Sequence, residues 1–328
     1  AVHVQRKGEG FELLQYTLQD APISDKAPSP EVVGDHLKSV LESIHYKGRR
    51  VALVIGSSEA LLRNTELPAV PVGDMRLMLK YNSKNYLQQD LPDHVFDCHA
   101  VGLSNGAGGS EAGTRNQKVK VWVGGARKQT LDHLQQAAKH AGLVLDQVIP
   151  SLICPTNAFE QAMPESFAKE VIALVDVGFR NSTISILSGG ELTLSRVVPS
   201  LGADRLTAGL AEAMGVSYAE AEGIKVGLPE EVQGPMQGLI LPLGRELRAS
   251  IDFFEHQQDR PVTQVYISGG SARSNFLVES LQGELMVPTK SWSPISFMHL
   301  AVPPQKLAEA EQVAPQLAVA VGGAMAIL

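Results

Sequence analysis

The chain has 328 residues, 44% of them hydrophobic, and a formal net charge of −7. That length exceeds one ordinary core, so two or more lobes are expected. The acidic balance and the lack of a Lys/Arg-rich block exclude non-specific nucleic-acid binding, and no apolar run reaches membrane-spanning length. No stretch reads as a secretory signal. The two cysteines, Cys98 and Cys154, lie far apart and fit no disulfide framework, which points to a reducing compartment.

In chain order, residues 2–5 and 11–17 read as paired strands around a Lys7-Gly8-Glu9-Gly10 turn. Ser29 as N-cap and Pro30 in the first turn open a helix whose stripe is Val33, Leu37, Val40, Leu41 and Ile44, with Gly48 as its stop. Residues 51–55 form a short buried strand. Leu67-Pro68 punctuates another, and residues 75–87 read as helix around Met75, Leu79, Tyr86 and Leu87. The Gly/Ser-rich stretch 102–116 reads as a loop. Alternation of Val119, Val121 and Val123 gives a strand. A helix with Leu131, Leu134 and Ala138 on one face follows, and Gly142 lies just past its end. Strands alternating with helices imply an α/β layer architecture.

The second half opens with the run 171–187, in which an apolar strand ends in Asp176, a tight turn holds Gly178, and a second strand leaves it. This is how a β-hairpin can cradle phosphate: glycine lets backbone N–H groups approach the anion, and a strand-end Asp can hold Mg²⁺ through water. Residues 192–198 make a third strand. Leu206, Leu210 and Met214 stripe a helix, Ser217 and Glu220 form a capping box for the next, and Leu239, Leu243, Leu247 and Phe254 mark a long amphipathic one. Residues 262–268 form a strand ending in Gly269-Gly270, and an Ala-rich helix covers 315–328, where Gly322-Gly323 is expected to allow close packing against the first lobe.

Three elements thus stand in order: Asp176-Val177-Gly178, then Ala219-Glu220-Ala221-Glu222-Gly223-Ile224-Lys225, then Tyr266-Ile267-Ser268-Gly269-Gly270-Ser271-Ala272. Glu222 and Lys225 are three apart and share a helix face, where they read either as a grip on a ribose and an adenine edge or as a surface ion pair. Gly-Gly after a strand allows a flat base to lie on the backbone, or is a tight turn.

That order resembles the actin-like ATPase superfamily, with its second phosphate motif, A-E-x-x-K helix and adenosine motif. More closely, the chain resembles the PilM family of type IV pilus assembly proteins and its cell-division relative FtsA. Arg196-Val197-Val198-Pro199, the turn at 202–206, Ala221-Glu222-Gly223-Ile224-Lys225, the stretch 247–254 leading to Ile267-Ser268-Gly269-Gly270, and 318–324 carry the likeness. Leu67-Pro68 and Ala141-Gly142-Leu143 also fit. The resemblance implies an α/β, actin-like (ribonuclease H-like) fold of two lobes, with an extra FtsA/PilM-type subdomain in the first. It divides the chain into first-lobe core (1–56 and 119–165), the inserted subdomain (57–118), second-lobe core (166–215 and 261–313), a small second-lobe subdomain (216–260) and a C-terminal helix returning to the first lobe (314–328). It implies ATP or ADP with Mg²⁺, bound by Asp176, Gly178, Arg180, Ser182, Gly202, Glu222, Lys225, Gly269, Gly270 and Ser271, with Asp176 holding Mg²⁺ through water. The implied partner is the cytoplasmic tail of a PilN-like inner-membrane protein, ordering in a groove beside the inserted subdomain. Other pilus or secretion assembly proteins and self-association are further expectations. The resemblance places the protein in the cytoplasm, peripheral to the inner membrane through its partner.

Two departures stand out. The chain starts at Ala1, not Met, on the far strand of what would be a first phosphate hairpin, so that loop is expected to lie upstream or to be lost. Phe179 and Arg180 occupy turn positions usually taken by small residues; Phe179 would reduce room, and Arg180 either contacts phosphate or faces solvent. Phosphoryl transfer depends on positioning and charge neutralisation, so weak or absent hydrolysis is expected, with scaffolding as the main role. The alternatives are a small-molecule kinase of the same superfamily, for which no general base stands out, and an FtsA-like filament protein. His94, Asp97, Cys98 and His99 form the only His/Cys/Asp cluster, without a second ligand pair; His133 and His140 read as solvated.

Overall fold

The computed structural model describes residues 1–21, 28–101, 118–227 and 230–328; the loop expected at 102–116 lies outside the described residues. The elements in chain order are β1 (Val2–Lys7), β2 (Gly10–Tyr16), α1 (Pro30–Ser43), β3 (Arg50–Ile55), β4 (Ala60–Pro68), α2 (Val72–Leu87), β5 (His94–Ala100) and β6 (Lys118–Arg127). Next come α3 (Lys128–His140), β7 (Val144–Pro150), α4 (Cys154–Ala162), α5 (Pro164–Lys169), β8 (Val171–Val177), β9 (Ser182–Ser188) and β10 (Glu191–Val198). The chain continues through α6 (Ala203–Met214), α7 (Tyr218–Gly227), α8 (Glu230–Gln258), β11 (Gln264–Ser268), α9 (Asn275–Leu285), β12 (Thr289–Ser291), β13 (Met298–Leu300), α10 (Leu307–Val313) and α11 (Ala318–Met325). These elements form two compact units, one of residues 1–18 with 152–328 and one of residues 19–151.

The first unit is built on a five-stranded sheet of order β10-β9-β8-β11-β12. β8, β9 and β10 form an antiparallel meander, and β11 runs parallel to both β8 and β12. β8 is apolar on both faces because both are covered. Val171, Ala173, Val175 and Val177 join Leu210 of α6, Leu247 and Phe254 of α8 and Leu281 of α9 in one core. Ile172 and Leu174 point the other way, towards Phe159, Tyr266, Trp292 and Leu317. A second sheet, β1-β2-β13, adds Leu13 and Tyr16 to that second core. α11 crosses α4 so closely that a Cβ on Gly322 would lie 1.7 Å from the Cys154 carbonyl oxygen; Gly322 thus packs as its sequence suggested. The Ala-rich run begins as a 3₁₀ turn, Ala314–Leu317, before α11.

The second unit pairs β3 with β7 in parallel and sets β4-β6-β5 in an antiparallel sheet. Met75 and Leu79 of α2 pack with Leu67, Phe96, Val121 and Val123 of that sheet. α1 ends earlier than Gly48 suggests. His45 takes a left-handed φ of 52°, and Tyr46 N–H donates to Leu41 O at 3.0 Å while His45 N–H donates to Glu42 O at 3.0 Å. That Schellman closure satisfies the last carbonyls without glycine. Among the described residues no helix is long and apolar enough to cross a membrane.

Candidate functional site

The hairpin β8–β9 places Asp176 opposite Ser268 of β11, and the Ser268 hydroxyl donates to Asp176 Oδ1 at 2.8 Å. Asp176 keeps a thin solvent-accessible margin, but enough protein surrounds its carboxyl that burial pushes the pKa up, with the Ser268 hydrogen bond opposing. Oδ2 has no partner among the described residues, so the residue fits a water of a hydrated Mg²⁺; it is the one carboxylate at the hairpin. Beyond it, the turn docks onto the start of α6. Ala203 N–H donates to Gly178 O at 2.9 Å and Asp204 N–H to Phe179 O at 2.8 Å, satisfying two first-turn donors of the helix. A Cβ on Gly202 would sit 2.4 Å from Phe179 O, so this approach needs glycine. Ser200 N–H donates to Asn181 Oδ1 at 3.0 Å, and the buried Ser182 hydroxyl to Leu201 O at 2.6 Å. Phe179 is 61% exposed, and Arg180 is exposed with no ion pair among the described residues.

α7 is joined to α6 by a polar cluster. The fully buried Thr207 hydroxyl donates to Glu222 Oε2 at 2.6 Å, and Lys225 Nζ donates to that same oxygen at 2.7 Å and to Thr207 Oγ1 at 2.8 Å. Burial acts to raise the Glu222 pKa, but the hydrogen bonds from Lys225 and Thr207 outweigh it and hold the carboxylate below its ordinary range. Tyr218 O–H donates to Asp204 Oδ1 at 2.9 Å. The capping box closes in both directions: Ser217 N–H donates to Glu220 Oε2 at 2.9 Å, and Glu220 N–H to Ser217 Oγ at 3.3 Å.

The third motif abuts the first. Gly269 adopts φ 94°, its N–H donates to Pro315 O at 2.8 Å, and a Cβ there would meet Val177 O at 2.3 Å. Gly270 and Ser271 lie in the 3₁₀ turn Gly270–Arg273. The three motifs are therefore connected through the hairpin, one by way of α6 and the other by way of β11. The hydrogen bonds of Ser268 and Thr207 and the burial of Cys154 beside Asp176 escape a reading of the sequence. Burial, followed by the charge of Asp176, pushes the Cys154 thiol up to about 12, which keeps it protonated. A lone hydroxyl beside Leu206 on an apolar stripe was the available signal for Thr207.

A second candidate site lies in the other unit. A cavity of about 910 Å³ is bounded by residues 89–94, which join α2 to β5, and by Arg127, Lys128, Gln129, Asp132, His133 and Gln136 at and beyond the start of α3. His94 stands opposite Arg127 in the β5–β6 register. Its Nδ1 is buried and has no hydrogen-bond partner among the described residues. Burial, then the charge of Arg127, lowers the His94 pKa and keeps the ring neutral. Lys128 is tied by Nζ to Asp132 at 2.8 Å and by its N–H to Asp93 O at 2.8 Å. Asp97 is held by Arg76 Nη2 at 2.6 Å. Among the described residues no group of three or more His, Cys, Asp and Glu could hold a metal ion.

Comparison with known proteins extends over the whole fold. A family model for the type IV pilus assembly protein PilM matches residues 2–327. The chain is similar to a solved PilM-PilN type IV pilus biogenesis complex, with a TM-score of 0.82 and 20% identity, over 99% of this chain and 94% of that one. It is also 29% identical over 98 residues to the cell division protein FtsA of Bacillus subtilis (strain 168), covering 30% of this chain. The match spans 21% of the length of that curated relative. A looser likeness, with a TM-score of 0.44 and 19% identity over 59% of this chain and 60% of the other, is to the ethanolamine utilization protein EutJ from Carboxydothermus hydrogenoformans.

Proposed function

We propose that this chain, which belongs to the type IV pilus assembly protein PilM family and has the actin-like ATPase fold expected of it, is a cytoplasmic scaffold that captures the tail of a PilN-like inner-membrane protein. The observation that carries this reading is the cavity of about 910 Å³, whose lining brings His94 and Arg127 together with Gln89, Gln129 and Gln136. An extended peptide offers a row of backbone N–H and C=O groups. Gln89, Gln129, Gln136 and the His94 ring are side chains that can meet them, and Arg127 adds a fixed cation. One wall of the cavity, residues 89–94, falls within the stretch read as the inserted subdomain, and the other, residues 127–136, lies beyond its end.

ATP or ADP with Mg²⁺ is the proposed ligand of the hairpin site. When bound, Mg²⁺ supplies neutralisation of phosphate charge, and Asp176 would hold one of its waters. The chain's own residues favour holding over turnover. The hairpin carbonyls and Ser182 are committed to α6 and the turn before it, and Glu222, Lys225 and Thr207 satisfy one another. The carboxylate nearest the turn besides Asp176, that of Asp204, accepts from the Tyr218 hydroxyl at 2.9 Å. Calorimetric titration with a synthetic tail of the cognate PilN-like protein tests the scaffold reading. Saturable binding that weakens in His94→Ala, with Mg²⁺-dependent ATP turnover no faster than in Asp176→Asn, is expected. Absence of tail binding, or brisk turnover lost in Asp176→Asn, would remove it.

A further inference from the structure

α2 buries Met75, Leu79 and Ser83 against its sheet and turns a contrasting face outward. On that face Leu77 is 52% and Tyr81 72% exposed, one helical turn apart. Exposed Lys80 stands before Tyr81 and exposed Lys84 just past a kink at Asn82 (φ −137°, ψ 35°), and neither has an acidic partner among the described residues. The Lys80 ammonium lies 5.5 Å from the centre of the Tyr81 ring, so cation and aromatic face are presented together. Arg76, on the same side, is neutralised by Asp97 at 2.6 Å. Exposed Asp74, one turn before Leu77, offsets one of these cations, so that this side of α2 keeps a net positive charge in a chain with a net −7.

We propose that the outward face of α2, formed by Leu77, Lys80, Tyr81 and Lys84, rests on the anionic headgroups of a phospholipid surface. The chemistry is that of an interfacial contact. Long lysine stems lie along apolar surface while their ammonium groups reach phosphate, and a tyrosine ring spans the apolar–polar boundary. A single helix face without flanking walls suits a flat layer of headgroups better than it suits a peptide, which needs a groove. Location supplies the second argument and rests on the proposed function: α2 leads straight into residues 89–94, the wall of the cavity assigned to the tail of a membrane protein. A contact of this size is weak alone, and it gains from the tether because the second binding event becomes intramolecular. It orients the scaffold without inserting it.

Flotation of the full chain with vesicles, without any partner, tests the surface by itself. Recovery is expected on vesicles containing phosphatidylglycerol and not on phosphatidylcholine alone, and it should fall as salt is raised. Lys80→Gln with Lys84→Gln should weaken partitioning roughly 30-fold, from about 1 kcal/mol for each lysine at an anionic surface. Leu77→Ser with Tyr81→Ser should lower recovery while preserving its dependence on lipid charge. Equal recovery on both lipids, or no effect of the lysine substitutions, overturns the inference. Tail titration of the same variants separates the two readings: vesicle binding without tail binding keeps the α2 surface and removes the groove, and tail binding without vesicle binding does the reverse.

Discussion

The hairpin region and the groove differ in what their polar groups are doing. Around β8, β9 and α6, Ser182, Thr207, Glu222, Lys225 and one oxygen of Asp176 are already hydrogen-bonded, and Gly178, Gly202 and Gly269 lie at close contacts with neighbouring backbone. In the other unit, a guanidinium and three glutamines line an open cavity, and the buried Nδ1 of the lining residue His94 has no hydrogen-bond partner among the described residues. Buried polar groups that satisfy one another stabilise and fix a structure, whereas polar side chains lining an open cavity are available to a ligand. On the proposed reading the hairpin holds nucleotide with little turnover, and the tail is recognised in the other unit.

Three substitutions can break or sharpen that contrast. The largest effect is expected from Gly322→Ala, where the new methyl would meet the Cys154 carbonyl at the α4–α11 crossing. It should destabilise the unit carrying the hairpin by about 3 kcal/mol, seen as a lower midpoint in chemical denaturation; an unchanged midpoint would mean that the crossing is looser than described. Thr207→Val removes the hydroxyl between Glu222 and Lys225 in a fully buried position. A loss of about 2 kcal/mol is expected, largely recovered by Thr207→Ser. If both variants behave alike, the α6–α7 cluster is not what holds the helices together.

The smallest of the three effects carries a sign. Asp176 has its pKa raised above the ordinary 3.8 by burial, so between those two values the native state holds a proton that the unfolded chain has lost. Stability attributable to this group therefore falls as pH rises through that window. Asp176→Asn should remove the slope and add about 1 kcal/mol at neutral pH, while abolishing Mg²⁺-dependent nucleotide binding. Glu222 behaves oppositely. Its pKa is depressed, so its contribution is present above the ordinary 4.5 and is lost as pH falls through the lower native value. Urea midpoints measured across acid pH on the wild type and Asp176→Asn separate the two; an unaltered profile in the variant would show that the carboxyl is well solvated.

What was legible in the sequence was what local chemistry decides. Apolar runs around Asp176 gave β8 and β9, Ser217 and Glu220 gave a capping box that closes in both directions, and Leu67-Pro68 marked the end of β4. β7 was not legible, because Asp146 and Gln147 interrupt its apolar pairs and its strand character comes from parallel pairing with β3. The stop of α1 was misplaced because His45 adopts a conformation that glycine usually takes. At the hairpin, Asp176 and Gly178 could be read from type and position, but Ser268 and Thr207 gain their roles only from tertiary neighbours. The cavity is assembled from residues 89–94 and 127–136, far apart in sequence, so its lining could not be read from either stretch alone.

The measurement that bears most directly on this contrast is the affinity of the PilN-like tail for the wild type and for His94→Ala with Arg127→Ala, by calorimetry in the absence of nucleotide. The account predicts tail binding that needs no nucleotide and weakens at least roughly 10-fold in the double variant, about 1.4 kcal/mol, with the denaturation midpoint little changed. Tail binding that is unaltered by the substitutions, or that appears only when Mg²⁺ and ATP are added, would contradict it.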